Sequence, residues 1–304
     1  MNRNRKLARA AASALAVFGL ATAANAAIVY SDNFERTTPN GGAYTYATTV
    51  TAGDGGAVTD GSIGNSSAGQ LALTNDISSA TNANGITYLW TPTSAYAATF
   101  NPSLNSNVGN ILTWSLNIQQ FRSNPSGLAA GNYGTAYVLG ATDSNFATVG
   151  SGYAIVIGNT GTLDPVRLIK FANGLAPVGT GASTAAFNLA ASSLHAGSDY
   201  QSVRVSYDPA GNDWKLYVRD DGVTGFQDAT TGDIPLVAIA NDTTFTNVAL
   251  THSGFYWAYS TTGSQTARFD NVQLDVGVPE PASGLAALAL AATCVARRRP
   301  SRRG

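Results

Sequence analysis

Residues 201–219 read Gln-Ser-Val-Arg-Val-Ser-Tyr, then Asp-Pro-Ala-Gly-Asn-Asp, then Trp-Lys-Leu-Tyr-Val-Arg. On both sides of the middle segment, apolar side chains occupy every second position, which is the period of a strand with one buried face. The middle segment, Asp208–Asp213, consists of residues that tolerate turn geometry. This stretch therefore predicts a β-hairpin within an all-β fold.

Strand patterns of the same kind occur earlier in the chain. Residues 112–118 alternate between apolar and polar side chains, which predicts a strand with one buried face. Residues 133–141 and 152–158 are apolar on both faces and should be central strands, and 166–171 should form a hairpin after a turn. Residues 48–84 leave two alternatives, a long decorated loop or thin edge strands. No repeat of about 20 to 50 residues is present, which disfavours a propeller or a solenoid.

The composition of residues 28–276 also favours short strands joined by turns. This segment is rich in Gly, Thr, Ser, Asn, Val and Tyr and contains a single glutamate, Glu35. The only cysteine of the chain, Cys294, lies near the C-terminus. The segment can therefore form no disulfide and has no thiol nucleophile, so its stability must come from packing, alone or together with a metal ion.

Charge is distributed unevenly along the chain. The whole chain carries a net charge of −1, but nine of its 17 basic residues lie in the first 12 residues or after residue 296. Residues 28–276 contain 8 Lys and Arg against 17 Asp and Glu, a net charge of −9. Because a negative surface repels phosphate backbones, we expect no nucleic-acid partner.

The N-terminus has the organisation of a secretory signal peptide. Four basic residues within the first 12 precede an apolar run at 14–24, which is too short to span a bilayer comfortably. The run leads into Ala24-Asn25-Ala26, the small-x-small pattern that signal peptidase accepts. We predict that residues 1–26 are a signal peptide, recognised at Ala24 and Ala26. The alternatives are a retained N-terminal anchor and a buried helix.

The C-terminus carries a second targeting pattern. Pro279-Glu280-Pro281 indicates a stiff, extended linker, since two such prolines do not fit inside one regular element. The 15 uncharged residues that follow would form a helix about 22 Å long, which is shorter than the ~30 Å hydrocarbon core. The predicted transmembrane helix therefore needs its flanking residues to cross the membrane. By the positive-inside rule, the arginines beyond it place everything before Pro279 outside the cytoplasm. These arginines are Arg297, Arg298, Arg299, Arg302 and Arg303.

Residues 278–304 resemble the PEP-CTERM sorting signal, in which Pro-Glu-Pro, a transmembrane helix and an arginine cluster follow one another at the end of the chain. The resemblance implies that an exosortase, a membrane protease-transpeptidase, cuts near Pro279-Glu280-Pro281. It also implies transfer to the cell surface or extracellular matrix of a bacterium that makes exopolysaccharide. An ordinary tail anchor is the alternative.

Residues 27–277 resemble the concanavalin A-like, laminin-G-like jelly roll. The resemblance rests on the opening segment 30–36, Tyr-Ser-Asp-Asn-Phe-Glu-Arg, on the hairpin at 203–218, and on the closing segment 267–274, Ala-Arg-Phe-Asp-Asn-Val-Gln-Leu. It implies a sandwich whose first and last strands pair, so that the tail leaves the domain at Gly277. We predict one lectin-like sandwich domain between the two targeting segments.

The carboxylates of residues 27–277 do not form a known catalytic motif. Glycosidases of the resembled fold commonly use a Glu-x-Asp-x-x-Glu strand, which is absent around Glu35 and elsewhere. The adjacent Asp220 and Asp221 would point to opposite faces of a strand and more closely fit a solvated turn. We therefore expect a non-catalytic protein. The alternative is a secreted glycoside hydrolase or lyase with an Asp-based site.

Metal binding is expected to involve oxygen ligands if it occurs. His195 and His252 have no His or Cys partner at metal-ligand spacing, and we expect one surface and one half-buried histidine. No Gly-x-Ser-x-Gly elbow marks a nucleophile that a histidine could activate. By resemblance to lectin-like sandwiches, Asp270 in the closing segment, near Asp32, is a candidate ligand of one structural calcium ion.

Aromatic side chains are the candidates for a glycan contact, because a pyranose stacks its C–H face on a ring, although core packing explains them equally well. We expect an exported surface or matrix protein that binds polysaccharide or has a structural role. Its partners would be signal peptidase, the exosortase and exopolysaccharide, and the sequence does not identify the ligand. The candidate rings are Tyr88, Trp90, Tyr133, Tyr137, Tyr256, Trp257 and Tyr259.

Overall fold

The computed structural model describes residues 26–36, 38–40, 42–51, 56–59, 69–75, 83–122, 124–159, 164–178, 188–195, 198–260 and 266–277. At 56–59 and 194–195 it describes the backbone alone. The compact unit extends over Ala27–Gly277.

The described part of the chain forms fifteen strands and two short 3-10 helices, Thr93–Ala95 and Leu104–Ser106. Every strand pair is antiparallel. The strands are β1 Ala27–Asp32, β2 Ala47–Val50, β3 Gly56–Thr59, β4 Leu71–Thr74, β5 Gly85–Pro92, β6 Ile111–Gln120, β7 Thr135–Ala141, β8 Gly152–Ile157, β9 Pro165–Phe171, β10 Asn188–His195, β11 Tyr200–Asp208, β12 Asp213–Gly222, β13 Leu236–Asn241, β14 His252–Tyr259 and β15 Thr266–Gly277.

Two sheets share these strands. The eight-stranded sheet has the order β13-β12-β11-β6-β15-β4-β3, with β1 also paired to β15, and the seven-stranded sheet has the order β10-β9-β8-β7-β14-β5-β2. The chain crosses repeatedly from one sheet to the other, and its first and last strands pair through Ala27 and Val276. The predicted all-β jelly-roll sandwich is confirmed.

The hairpin predicted from residues 201–219 is formed by β11 and β12. The two strands pair without interruption, from Asp208 opposite Asp213 at the turn to Gln201 opposite Asp220. Its turn is held by the Asp208 carboxylate, which accepts the Ala210 N–H at 2.9 Å. Asn212 adopts a left-handed φ of 55°, a conformation that asparagine tolerates. The predicted central strands, β7 and β8, are confirmed inside the seven-stranded sheet, and β9 pairs with β8 as expected.

Residues 48–84 contain thin strands. β2 and β3 each have four residues and lie at the edges of the two sheets, while β4 lies between β3 and β15. The edge-strand alternative is therefore correct for the described part of this region.

The main hydrophobic core lies between the sheets. Trp114 and Leu116 of β6 and Val205 of β11 face Tyr137 and Phe255 of the other sheet, and all five are at most 1 % exposed. The alternation predicted for 112–118 supplies this inner face. The polar side chains of the same strand were expected to be exposed, but Ser115 and Asn117 are buried as well. The reason is that residues 226–229 cover Asn117, which donates to the Gln227 carbonyl at 2.7 Å.

A second hydrophobic cluster covers the outer face of the seven-stranded sheet, the face turned away from the eight-stranded sheet. Val138, Val156 and Tyr256 lie on this face, and Phe146 and Leu175 pack on them from two connections. The connections are bonded to each other, since the Leu175 N–H donates to the Phe146 carbonyl at 2.8 Å. At one edge of this cluster, Trp90 of β5 is partly buried, and this position carries the candidate site.

Candidate functional site

The sequence candidates for catalysis do not come together. Asp220 and Asp221 end strand β12 rather than forming a turn, because this strand continues its pairing with β11 up to Gly222. Asp220 is exposed, whereas Asp221 is buried and bonded to Arg219 at 2.7 Å. The Asp221 carboxylate also accepts the Ser202 hydroxyl at 2.6 Å and the Gln227 N–H at 2.9 Å. Asp221 therefore fastens the 223–234 connection to the sheet.

The remaining candidates are also separated. Glu35 is exposed in the segment after β1. His195 is the last residue of β10, not part of a loop, because residues 188–195 pair with β9. His252 is half-buried, as expected, at the first position of β14.

Asp270 lies at a bulge of β15, where Asn271 adopts a left-handed φ of 47°. Burial raises the pKa of Asp270 to about 7, and the carboxylates of Glu35, Asp32 and Asp228 add to this rise. The Asn271 N–H opposes it by donating a hydrogen bond of 2.7 Å to the Asp270 carboxylate. Within the described residues, no three His, Cys, Asp or Glu side chains are close enough together to hold a metal ion. These side chains alone do not fit a calcium site, so calcium at Asp270 stays a prediction.

Burial distinguishes one aromatic candidate from the other six. Trp90, on the outer face of the seven-stranded sheet, is half-buried and packs against the outer hydrophobic cluster with part of its ring accessible. Core packing accounts for the other rings, each at most 4 % exposed: Tyr88, Tyr133, Tyr137, Tyr256, Trp257 and Tyr259.

Trp90 forms a patch with His252, whose pKa is affected by the nearby Asp143 carboxylate. The His252 ring meets the Trp90 ring nearly at a right angle, with the centroids 5.1 Å apart. Next to Trp90 on β14 is Gly254, which places no side chain beside the indole. Asp143 follows β7, and its Oδ1 accepts the Asn145 N–H at 2.7 Å, which fixes the carboxylate in a turn. The patch thus combines an accessible ring with two hydrogen-bonding side chains.

His252 presents an acceptor to the patch. The Thr251 hydroxyl donates to the Thr142 carbonyl at 3.2 Å, so its oxygen accepts from the Nδ1–H of His252 at 2.9 Å. The proton on Nδ1 leaves Nε2 as a lone-pair acceptor. Burial lowers the pKa of His252 below its usual 6.5, and the nearby Asp143 carboxylate opposes this change. His252 is therefore neutral at pH 7.

A cleft of about 390 Å³ adjoins the patch at one end of the sandwich. The segment after β5 forms most of its wall, with the buried rings of Tyr96 and Phe100 and the exposed methyl groups of Ala97 and Ala98. His252 lines the cleft as well, so this one side chain belongs to both the patch and the cleft.

Sequence reasoning missed the residues that act on His252 beside Trp90. Asp143 and Thr251 come from two connections that are more than 100 positions apart, and neither lies in a motif. The one local signal is the position of His252 directly before the aromatic stretch Phe255-Tyr256-Trp257. That signal indicates a strand start rather than a ligand contact.

The predicted targeting residues lie outside the described residues, apart from the exposed Ala26 just before β1. This concerns Ala24, the three residues of Pro279-Glu280-Pro281, the predicted transmembrane helix and the five arginines after it. In the described part of the chain, neither of the helices has the length and apolar character needed to cross a bilayer.

No family model and no curated protein matches the sequence. Among solved structures, the chain is similar to the carbohydrate recognition domain of Emp47p, with 16 % identity over 84 % of this chain and 98 % of that one and a TM-score of 0.45. It is also similar to arcelin-5, a lectin-like defense protein from Phaseolus vulgaris, with 15 % identity over 83 % and 100 % and a TM-score of 0.48. A third similar structure is the exoplasmic/lumenal domain of VIP36 in its Ca²⁺/Man3GlcNAc-bound form, with 8 % identity over 82 % and 90 % and a TM-score of 0.46. At these values the similarity concerns the fold alone.

Proposed function

We propose that this chain is an exported bacterial protein of the cell surface or extracellular matrix, whose sandwich binds polysaccharide without chemical turnover. The observation that carries the binding part is the patch of Trp90, His252 and Asp143. An accessible indole offers a flat apolar surface to the C–H face of a sugar ring, while imidazole and carboxylate accept hydrogen bonds from its hydroxyls.

At the patch, the number of carboxylates supports a binding role over a hydrolytic one. Hydrolysis of a glycosidic bond needs two carboxyl groups that flank the bond, about 5 to 10 Å apart. In the described residues the patch offers one carboxyl group, Asp143, whereas the Asp221 carboxylate already binds Arg219, the Ser202 hydroxyl and the Gln227 N–H. A secreted carbohydrate-active enzyme is the alternative that the test must separate.

The targeting part of the proposal rests on the two ends of the sequence. Signal peptidase would cut after Ala26, directly before β1 begins at Ala27. The exosortase would act at Pro279-Glu280-Pro281, which begins two residues after β15 ends at Gly277. Both sites thus leave the strands of the sandwich intact, which supports removal of the two segments from a folded domain.

The experiment compares wild type with Trp90→Ala on immobilised neutral polysaccharides, with product analysis for released oligosaccharides. Residues 27–277 contain all described strands and both hydrophobic clusters, so this segment can be produced by itself. Phe121→Ala is the matched control, because Phe121 is an exposed aromatic residue that follows β6 in the other sheet.

Three results are distinguishable. Retention of wild type and Phe121→Ala, with loss for Trp90→Ala and no released product, supports the proposal. Released product identifies the enzyme instead. If no polysaccharide retains wild type, glycan binding is wrong and a structural role in the matrix is the remaining interpretation.

A further inference from the structure

The end cleft and the Trp90 patch form one continuous surface because they share His252. Its ring meets Trp90 edge-on at 5.1 Å and also lines the cleft. A ligand that stacks on Trp90 and reaches His252 therefore meets the mouth of the cleft. The cleft volume of about 390 Å³ is within the usual range of small-ligand pockets.

The chemistry of the cleft is that of an apolar slot with few polar groups. Ala97, Ala98 and Phe100 supply apolar surface, and none of the described residues that line the cleft is an acid, a lysine or an arginine. Ser94 also lines it, is exposed, and has no hydrogen-bond partner among the described residues. Its hydroxyl is thus available as a donor, while Nε2 of His252 is available as an acceptor.

An acetyl group matches this combination. Its methyl group needs apolar contact, which the two alanines and Phe100 provide, and its carbonyl needs a donor, which Ser94 provides. A neighbouring sugar hydroxyl would donate to His252. A uronic acid does not match, because its carboxylate would find no cation in the cleft and would lie near Asp143 in a domain of net charge −9.

We propose that the cleft is a specificity site for acetylated neutral polysaccharide and holds the acetyl group while the sugar ring stacks on Trp90. This inference rests on the proposed glycan-binding function. The inference adds a ligand class and a separate set of residues, so it can fail while the proposed glycan-binding function still holds.

The test uses O-acetylated glucomannan and an O-acetylated xylan without uronic acid side chains, each paired with the same polymer after alkaline deacetylation. Both members of each pair are then uncharged. Binding of the segment 27–277 is measured by affinity electrophoresis. Ala98→Trp fills the cleft, and Ala95→Trp is the matched control, since Ala95 is exposed on the same segment but does not line the cleft. Ser94→Ala removes the proposed donor with minimal risk to folding.

We expect wild type and Ala95→Trp to bind the acetylated polymer about tenfold more tightly than its partner, the combined effect of one buried methyl group and one hydrogen bond. Ala98→Trp should abolish this preference and retain binding to the deacetylated polymer, and Ser94→Ala should lower the preference about threefold. The inference is overturned if wild type binds the acetylated and deacetylated polymers equally well. It is also overturned if Ala98→Trp and Ser94→Ala keep the wild-type preference for the acetylated polymer. Either result leaves the proposed glycan-binding function standing. Binding of neither polymer in either pair, together with no retention on any neutral glycan, refutes both.

Discussion

Replacing Asp270 by Asn tests the electrostatics of the joined chain ends. The carboxyl is largely buried at the β15 bulge, and Glu35, Asp32 and Asp228 face it with like charge. These effects raise the pKa of Asp270 to about 7 in the folded state, while an unfolded aspartate keeps its usual value of 3.8. Between these values the folded chain holds a proton that the unfolded chain has lost, so stability should fall as pH rises from about 4 to about 7 and then level off.

The magnitude follows from the difference between the two pKa values. About three pH units correspond to about 4 kcal/mol as an upper limit. Because Asp270 keeps some contact with solvent, which screens the charges, we expect about 1 to 2 kcal/mol. The asparagine introduced by this substitution is uncharged at every pH, and its side-chain oxygen can still accept the Asn271 N–H. Asp270→Asn should therefore stabilise the domain by that amount at about pH 8 and leave it unchanged at about pH 4.

Urea unfolding followed by tryptophan fluorescence measures the effect, at both pH values and with either EDTA or added calcium. Asp220→Asn, at an exposed position of β12, is the control and should show no such pH-dependent gain. A loss of stability in Asp270→Asn at about pH 8 would refute this reasoning. If calcium stabilises wild type but not Asp270→Asn, the calcium ligand predicted from the sequence is correct instead.

Three further predictions concern other parts of the chain. Asp221→Ala should lower the free energy of unfolding by about 3 kcal/mol, because the buried Ser202 hydroxyl and two part-buried donors, Arg219 Nε and the Gln227 N–H, lose their acceptor. Asp220→Ala should change the free energy of unfolding by less than about 0.5 kcal/mol. Equal effects of the two substitutions in urea unfolding would contradict the role assigned to Asp221. Glycan affinity should weaken as pH falls below the lowered pKa of His252, because protonated Nε2 can no longer accept a hydrogen bond from the sugar. Titration calorimetry should find no such pH dependence in His252→Gln. A pH dependence that persists in this variant excludes His252 as its source. Intact-mass analysis should show that the exported protein begins at Ala27 and lacks the arginine tail. Replacing residues 279–281 by alanine should leave a precursor that is retained in the membrane. If the wild-type protein keeps its tail in a host with an active exosortase, the sorting prediction is wrong and the C-terminal segment is only a membrane anchor.

Alternation of apolar side chains predicted the inner faces of the sandwich because the inner face of a strand meets the other sheet along its whole length. β6, β11 and β12 show the period of two, and their apolar positions lie in the core. The outer faces could not be predicted in this way. Asn117 and Asp221 are polar yet buried, because one connection covers them and supplies their hydrogen-bond partners. Strand periodicity carries no information about which connection folds back onto a sheet.

The residues of the candidate site could not be predicted from strand periodicity either. Trp90 was one of seven rings with equal standing in the sequence, and the structure separates it from the rest by accessibility. His252, which contacts Trp90, begins β14, and Asp143, which lies near His252, follows the neighbouring strand β7. The two residues are distant in sequence. Only the strand order, a long-range property, brings them to one place.

The position of the cleft connects binding with attachment. The Ala97 N–H, on the cleft wall, donates to the carbonyl of Val29 in β1 at 3.0 Å, so the cleft lies against the first strand close to its start. That strand pairs with the last residues of β15, and Gly277 at the end of β15 is opposite Ile111 at the start of β6. The cleft and the point where the tail leaves the sandwich are therefore at the same end of the domain. If the domain is attached through its C-terminus, as we propose, polymer held in the cleft would be at the end of the sandwich where Gly277 lies.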